Sequence, residues 1–184
     1  MLSKNAVVGI HGGHAVVGSR GASGYMDEVK MDRAIKKACI KELNKRGYKT
    51  VDCSVKVAKS AWDCLLKIKK KSVKGRTSIN FSIHLNAGGG NGLEIYLPHN
   101  ATINDRNNAD RLCRDLANYF GFANRGIKGK GKWYVCNHLA QGYLIEIGFV
   151  DSKIDKAIYD HYGCKKIGKK LADLIIKYFK EVKK

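Results

Sequence analysis

Four polar residues of this sequence are hard to explain by packing alone. His84 lies inside the apolar stretch FSIHLNA, Glu146 lies inside YLIEIGF, and His14 and Glu28 bracket the segment after the first apolar run. A charged carboxylate among leucine, isoleucine and phenylalanine is costly to bury without a partner. His84 alone could equally be a hydrogen-bonded core imidazole. However, each of the four lies at or near the end of a predicted strand, where one cleft could collect them.

Two histidines and one carboxylate with an open fourth position form a common catalytic zinc site. His14, Glu28 and His84 could supply these ligands, which leaves Glu146 as the base that takes a proton from water. The positions follow no regular spacing, and the compact HExxH motif of many zinc peptidases is absent. The residue types therefore indicate a zinc hydrolase without defining its substrate.

Alternating strand and helix patterns must position these residues. Six segments are interpreted as strands: AVVGI, YKTVDCSV, TSINFSIHLNA, NGLEIYLP, GKWYVCN and GYLIEIGFV. Apolar residues at helical spacing predict helices over about 26–46, 57–68, 109–120 and 159–183. The alternation predicts an α/β fold with a twisted, mostly parallel β-sheet sandwiched between helices. In such sheets, chemically active residues collect at the ends of strands.

The length and the N-terminal sequence limit the organisation of the chain. A chain of 184 residues suffices for one domain with a substantial core, which we expect to span about 5–178, and is short for two. The opening residues MLSKNAVVGI lack the apolar stretch of a secretory signal. No segment approaches the roughly 20 apolar residues of a transmembrane helix. We therefore expect a monomer made in the cytoplasm.

The charge is strongly positive, with 35 Lys and Arg against 16 Asp and Glu and a formal net charge of +19. Such a field favours association with polyanions. The lysines are dispersed, whereas a dedicated nucleic-acid surface would combine clustered arginines with stacking aromatic residues. We therefore expect attraction to anionic wall polymers or to a membrane surface, and no specific nucleic-acid partner. A solubility trait without a dedicated partner is the alternative interpretation of the charge. A basic, non-enzymatic module that binds wall polymers or nucleic acid is the alternative from another functional class.

The six cysteines are scattered along the chain without a CxxC pair. This spacing argues against a structural zinc site built on thiolates. Free cysteine packs as a small hydrophobic residue. The cysteines are therefore interpreted as reduced thiols of the core.

Several motifs together resemble a known family. In order, GGHAVVGSRGASGYMDE, SIHLNAGGGNGLEIY, ANRGIK and LIEIGFVDSKID are similar to motifs of the zinc-dependent N-acetylmuramoyl-L-alanine amidases of the type 3 group. These enzymes cleave bacterial peptidoglycan, and many are phage endolysins. The resemblance extends from about Val7 to Leu174. It implies a catalytic domain over 1–184, with no cell-wall-binding domain in this chain, and it agrees with the predicted fold.

The resemblance also implies roles for individual residues. His14, Glu28 and His84 would bind Zn²⁺, and Glu146 would be the catalytic base. The scissile bond would be the amide between N-acetylmuramic acid and L-alanine. A zinc carboxypeptidase or endopeptidase that cleaves the peptidoglycan stem peptide is the nearest alternative, because the same residues could serve either bond.

Three further polar residues are candidate substrate contacts. They are Asn86, two residues after His84, and Arg125 with Lys128 in NRGIKGKGK. The alternative interpretation is that Asn86 belongs to a turn and that the two cations belong to a solvated basic loop.

The sequence departs from the family pattern at two places. His11 stands where the family usually has the aspartate of an Asp-Pro-Gly-His turn, and LAQGYLIE lacks the usual Pro-Ala before the catalytic glutamate. Neither change removes a predicted ligand or the base. We interpret His11 as a residue that orients the site from outside the ligand set or is merely structural.

The resemblance also bears on where the protein acts. A wall hydrolase without a secretory signal fits a phage endolysin that reaches peptidoglycan after a holin opens the membrane. A bacterial autolysin or a sporulation enzyme is the alternative.

Overall fold

The computed structural model describes residues 2–129 and 134–179, over which strands and helices alternate. The strands are β1 (Val7–Gly12), β2 (Lys49–Asp52), β3 (Ile79–Asn86), β4 (Leu93–Tyr96), β5 (Asn124–Lys128) and β6 (Gly142–Phe149). The helices are α1 (Glu28–Lys45), α2 (Ala61–Lys74), α3 (Ile103–Phe120), α4 (Tyr134–His138) and α5 (Lys153–Tyr178). No helix in these ranges is long and apolar enough to cross a membrane.

The six strands form one sheet in the order β2-β1-β3-β6-β4-β5. All neighbouring pairs are parallel except β4 and β6, which run antiparallel. The predicted fold of one domain with a mostly parallel sheet between helices is therefore confirmed. The central position of β3 and β6 matters for function, because these strands carry His84 and Glu146 side by side.

The two faces of the sheet have different roles, since alternate residues of a strand point to opposite sides. On β3, the side chains of Phe81, Ile83 and Leu85 belong to the larger core, together with buried residues of α1, α3 and α5. The intervening residues, including His84, therefore face the other side. There, α2 and α4 cover the sheet through a smaller core that includes Cys64, Val135 and Leu144. The candidate site lies on this second face.

Several sequence predictions differ from the structure. GKWYVCN was predicted as a strand, but its described residues belong to the short helix α4, which packs on α2 and β6. The second helix begins at Ala61, whereas the predicted segment began at Val57, which is exposed. The last helix begins at Lys153, earlier than predicted, and Gly163 interrupts it. The basic segment NRGIK, which the sequence analysis does not predict as a strand, forms the edge strand β5.

The cysteine prediction is confirmed. All six are free thiols, five of them buried and Cys164 partly buried. Burial raises the pKa of all six thiols. The thiols are therefore inert core residues.

Candidate metal and active site

The loop after β1 carries His14 to the sheet edge. β1 ends at Gly12, and the backbone turns through Gly13 before His14. A Cβ atom on Gly13 would lie 1.7 Å from Cε1 of His84, so only glycine lets the His84 ring lie against this turn. The Arg33 guanidinium donates hydrogen bonds to the carbonyl oxygens of His14 and Val55, which fixes the loop against α1.

Glu28 is the first residue of α1, and its position follows from helix capping. The Asp27 carboxylate accepts a hydrogen bond from the Lys30 amide and starts the helix at Glu28. The Glu28 carboxylate itself accepts from the backbone amides of Ala22, at 2.8 Å, and Leu85, at 3.2 Å. Glu28 therefore joins the loop, the first helix and the end of β3.

The loop also requires glycine at position 21, because the side chains of Glu28 and His14 lie against it. A Cβ atom there would lie 2.4 Å from Oε2 of Glu28 and 2.9 Å from Cδ2 of His14. Any side chain at this position would push the two residues apart. Gly21 therefore keeps the cluster compact.

The structure brings together His14, Glu28 and His84, whose role as metal ligands stays a prediction. Each offers one ligand atom, and these atoms lie within 4.8 Å of one another. Nε2 of His14 is 3.4 Å from Oε2 of Glu28, and Nδ1 of His84 is 2.9 Å from Oε1 of Glu28. The cluster brings one carboxylate between two imidazoles, and the three residues could hold a metal ion.

Mutual hydrogen bonding and burial shift the pKa values of the cluster. Burial alone would raise the pKa of Glu28, but the hydrogen bonds with His14 and His84 hold it well below its ordinary value. The hydrogen bond with Glu28 raises the pKa of His14, whereas burial lowers the pKa of His84. Glu28 is therefore ionised at neutral pH, as a metal ligand must be.

Glu146 lies beside this cluster. It is the register partner of His84 across the parallel pair of β3 and β6. The side chain is buried, and its Oε2 accepts no hydrogen bond from any described residue. Burial, together with the negative charges of Glu28 and Glu94, raises the pKa of Glu146 to about 8. A carboxyl with a pKa near neutrality can both accept and return a proton in a catalytic cycle.

A buried carboxylate that the sequence prediction missed lies next to Glu146. Glu94 on β4 is the register partner of Glu146 across the antiparallel pair of β4 and β6. Glu94 is only 2% exposed. The signal was present in the sequence, because Glu94 lies between Leu93 and Ile95 just as Glu146 lies between two isoleucines.

The three predicted substrate contacts all converge on Glu94. Nδ2 of Asn86 donates to Oε1 of Glu94 at 2.9 Å, and Nε of Arg125 donates to Oε2 at 2.7 Å. The Lys128 ammonium is 3.8 Å from the same Oε2. Burial alone would raise the pKa of Glu94, but Arg125, the Tyr96 hydroxyl and Lys128 hold it below its ordinary value. The roles of Asn86, Arg125 and Lys128 toward a substrate stay predictions.

His11 lies in β1 and is fully buried. Neither ring nitrogen has a hydrogen-bond partner among the described residues, and burial lowers the pKa of His11 to about 3. The ring is therefore neutral. Its predicted orienting role has no hydrogen bond in the described residues to support it.

The loop after His84 is held by two aspartates of the segment after β6. The Asp151 carboxylate accepts from the amides of Gly88 and Gly89, at 2.9 and 2.8 Å. Asp155 is fully buried and accepts from the amides of Gly92 and Phe149. These bonds tie the end of β3 to the end of β6, and thereby fix the strand ends that carry His84 and Glu146.

A cavity of about 140 Å³ opens beside the two histidines. Its walls come from the β1 loop, the second face of the sheet, α2 and α4. They comprise Gly13, His14, Ser19, Ala61, Cys64, Leu65, His84, Tyr134, Val135 and Leu144. The lining is mostly apolar, which suits an apolar group of a molecule bound at the cluster.

Comparisons with known proteins agree with this architecture. Residues 8–177 match the N-acetylmuramoyl-L-alanine amidase family. An uncharacterised protein of Clostridium perfringens strain 13 is 27% identical over 185 residues, which cover 91% of this chain and 51% of the relative. The chain thus spans about half the length of the curated relatives it matches.

Two solved structures share the fold. The catalytic domain of the CD27L endolysin, which targets Clostridium difficile, superposes with a TM-score of 0.82 at 22% identity and covers 97% of this chain and 100% of that domain. The catalytic domain of CwlV, an amidase from Paenibacillus polymyxa var. colistinus, has a TM-score of 0.77 at 22% identity, with 94% and 97% covered. The family match over 8–177 together with this fold shows that the chain belongs to the N-acetylmuramoyl-L-alanine amidase family.

Proposed function

We propose that this chain hydrolyses the amide bond between N-acetylmuramic acid and L-alanine in bacterial peptidoglycan, with zinc as its cofactor. One observation carries the proposal: three potential ligand atoms converge within 4.8 Å beside a buried carboxyl that has a free oxygen. Membership of the amidase family supports the choice of substrate. The three ligands are His14, Glu28 and His84, and the carboxyl is Glu146.

The residues of the cluster fit a zinc ion. A tetrahedral zinc with ligand distances of about 2.1 Å places its ligand atoms roughly 3.4 Å apart. One Glu28 oxygen lies 3.4 Å from His14 Nε2, and the other lies 2.9 Å from His84 Nδ1. The three ligand atoms, one from each residue, lie within 4.8 Å of one another, so zinc binding would draw them closer together. Two imidazoles and one carboxylate are also the donor set of many catalytic zinc sites, which leave one position for water or substrate. His14 is the most accessible ligand, with 31% of its side chain exposed.

The cofactor and the chain divide the chemistry between them. When bound, zinc supplies Lewis acidity that polarises an amide carbonyl and makes water a stronger acid. Glu146 takes the proton of the attacking water at its free Oε2 and returns it to the alanine nitrogen as the C–N bond breaks. Because burial and the neighbouring charges of Glu28 and Glu94 raise the pKa of Glu146, the carboxyl holds the proton that it has taken until the amine accepts it.

We also propose where the chain acts and in what form. The net charge of +19 favours attraction to anionic polymers of the bacterial wall. We propose a monomeric endolysin that reaches the wall after holin-dependent release. The catalytic domain would comprise residues 1–184. The activity and partners of the whole protein belong to this proposal, because the chain matches about half of its curated relatives.

Mass spectrometry of digested peptidoglycan identifies the bond that is cleaved. We expect zinc-loaded protein to release intact stem peptides with L-alanine at the amino terminus and to leave the glycan uncut. Cleavage within the stem peptide would instead indicate a zinc peptidase. If no bond is cleaved and wall binding falls steeply with salt, the chain is a basic binding module. A His84→Ala variant serves as the control for contaminating hydrolases.

A further inference from the structure

We propose that Arg125 and Lys128, held by the buried Glu94, form a binding site for the carboxylate of the stem-peptide residue that follows L-alanine. The inference rests on the proposed function and adds a specificity determinant to it. It concerns the side of the site formed by β4 and β5, away from the apolar cavity beside His14 and His84.

Glu94 fixes the orientation of the Arg125 guanidinium. Nε of Arg125 donates to Oε2 of Glu94 at 2.7 Å, and the guanidinium lies over the Phe149 ring at 4.9 Å from its centroid. The two terminal nitrogens make no hydrogen bond to any described residue, and 37% of the side chain is exposed. An arginine held through Nε and by its flat face presents two parallel N–H donors, which match the two oxygens of a carboxylate.

Lys128 strengthens the preference for an anion. Its ammonium lies 3.8 Å from Oε2 of Glu94, and 39% of its side chain is exposed. One carboxylate facing one guanidinium and one ammonium leaves a net charge of +1. Glu94 therefore does not neutralise both Arg125 and Lys128, and the two cations can still attract a negative group.

Asn86 and Tyr96 fix the position of the Glu94 carboxylate. Oε1 of Glu94 accepts from Nδ2 of Asn86 and from the Tyr96 hydroxyl, each at 2.9 Å. The amide oxygen of Asn86 in turn accepts from the Ala87 backbone at 2.8 Å. Both ends of the Asn86 amide thus have protein partners, so Asn86 positions Glu94 and the substrate contacts fall to Arg125 and Lys128.

The position of Glu94 relative to Glu146 suggests which carboxylate is bound. Neighbouring strands are about 4.8 Å apart, so β4 is one spacing from Glu146 on β6 and two spacings from His84 on β3. An extended peptide advances about 3.5 Å per residue, which places a group on the second residue roughly 7 Å from the scissile carbonyl. In the stem peptide this group is the α-carboxylate of D-isoglutamate, or the neutral amide of D-isoglutamine.

A matched pair of ligands tests the inference. N-acetylmuramoyl-L-alanyl-γ-D-glutamyl-L-lysinamide and its counterpart with D-isoglutamine at the second position differ only in this carboxylate, because the γ-carboxyl of that residue is bound in the amide to lysine in both. Calorimetry with the zinc-loaded Glu146→Gln variant measures binding without turnover. We expect the carboxylate ligand to bind about 10- to 100-fold more tightly, as a charge-assisted bidentate pair allows. Adding Arg125→Gln should remove this difference and leave affinity for the amide ligand nearly unchanged, and adding Lys128→Gln should reduce the difference.

A control separates a local site from general charge. Lys70 is exposed on α2, so Lys70→Gln lowers the net charge equally and should preserve the discrimination. Equal affinity of the two ligands would overturn the inference, and so would an equal loss for both ligands in the Arg125→Gln variant. In the wild type, the same preference should appear as a lower KM for the carboxylate substrate. Failure of the zinc-loaded wild type to cleave either ligand would contradict the amidase proposal, whereas the calorimetry would still decide the carboxylate site.

Discussion

Replacement of His14 by alanine is expected to remove zinc from the protein and to abolish amide hydrolysis. Partners outside a coordination shell already account for roughly 10- to 100-fold in metal affinity, so loss of a direct ligand should cost more than about 100-fold. His14 is the best ligand to replace because its side chain is the most exposed of the three. The fold should therefore survive, as circular dichroism would show.

Zinc content after dialysis and release of amino groups from purified peptidoglycan measure the two effects together. His161→Ala provides the control, because His161 is exposed on α5 and lies outside the cluster. It should retain one zinc per chain and full activity. A His14→Ala protein that keeps both zinc and activity would exclude His14 as a ligand.

The Glu146→Gln variant is expected to keep zinc and to lose about 10²- to 10⁴-fold in kcat. Glutamine has the size of glutamate but cannot take a proton from water or return one to the alanine nitrogen. The measurement is the rate of peptide release at saturating substrate, with zinc content determined on the same sample. Glu42→Gln, on the same helix as Glu28 but about 21 Å further along it, should behave as wild type. A zinc-loaded Glu146→Gln protein with the wild-type rate would refute the assignment of the base.

The raised pKa of Glu146 predicts that the stability of the zinc-free protein depends on pH, and the Glu146→Gln variant tests this prediction. The folded chain holds the Glu146 proton up to a pKa of about 8, whereas an ordinary glutamate releases it near 4.5. Between these values unfolding releases a proton, so the free energy of unfolding falls as the pH rises. Urea denaturation between pH 5 and 8 should show a steeper fall for wild type than for Glu146→Gln. Parallel curves would contradict the raised pKa.

The candidate site could be found from the sequence because its residues violate the pattern of their surroundings. His84 and Glu146 are polar positions in apolar strands, and His14 follows the glycines that end β1. Such violations are costly in free energy unless the side chains find partners, and the structure places Glu28 between the two histidines. The fold class could also be predicted, because the alternation of strands with helices follows from the local periodicity of apolar residues.

The convergence on Glu94 could not be derived from local pattern. It depends on the order of β3, β6 and β4 in the sheet and on the antiparallel direction of β4, neither of which local periodicity contains. Arg125 and Lys128 were identified as basic residues, but their common anchor is defined only when β5 pairs with β4. The wrong prediction for GKWYVCN has a related cause. Tyr134 and Val135 favour strands, yet packing against α2 and β6 determines a helix.

Zinc titration into metal-stripped protein, with amide hydrolysis measured at each addition, tests the central claim most directly. The account predicts no hydrolysis before zinc is added, a linear rise in rate with zinc, and a plateau at one equivalent per chain. Full activity of the stripped protein would contradict the account, as would the binding of one equivalent of zinc without any hydrolysis of the amide between N-acetylmuramic acid and L-alanine.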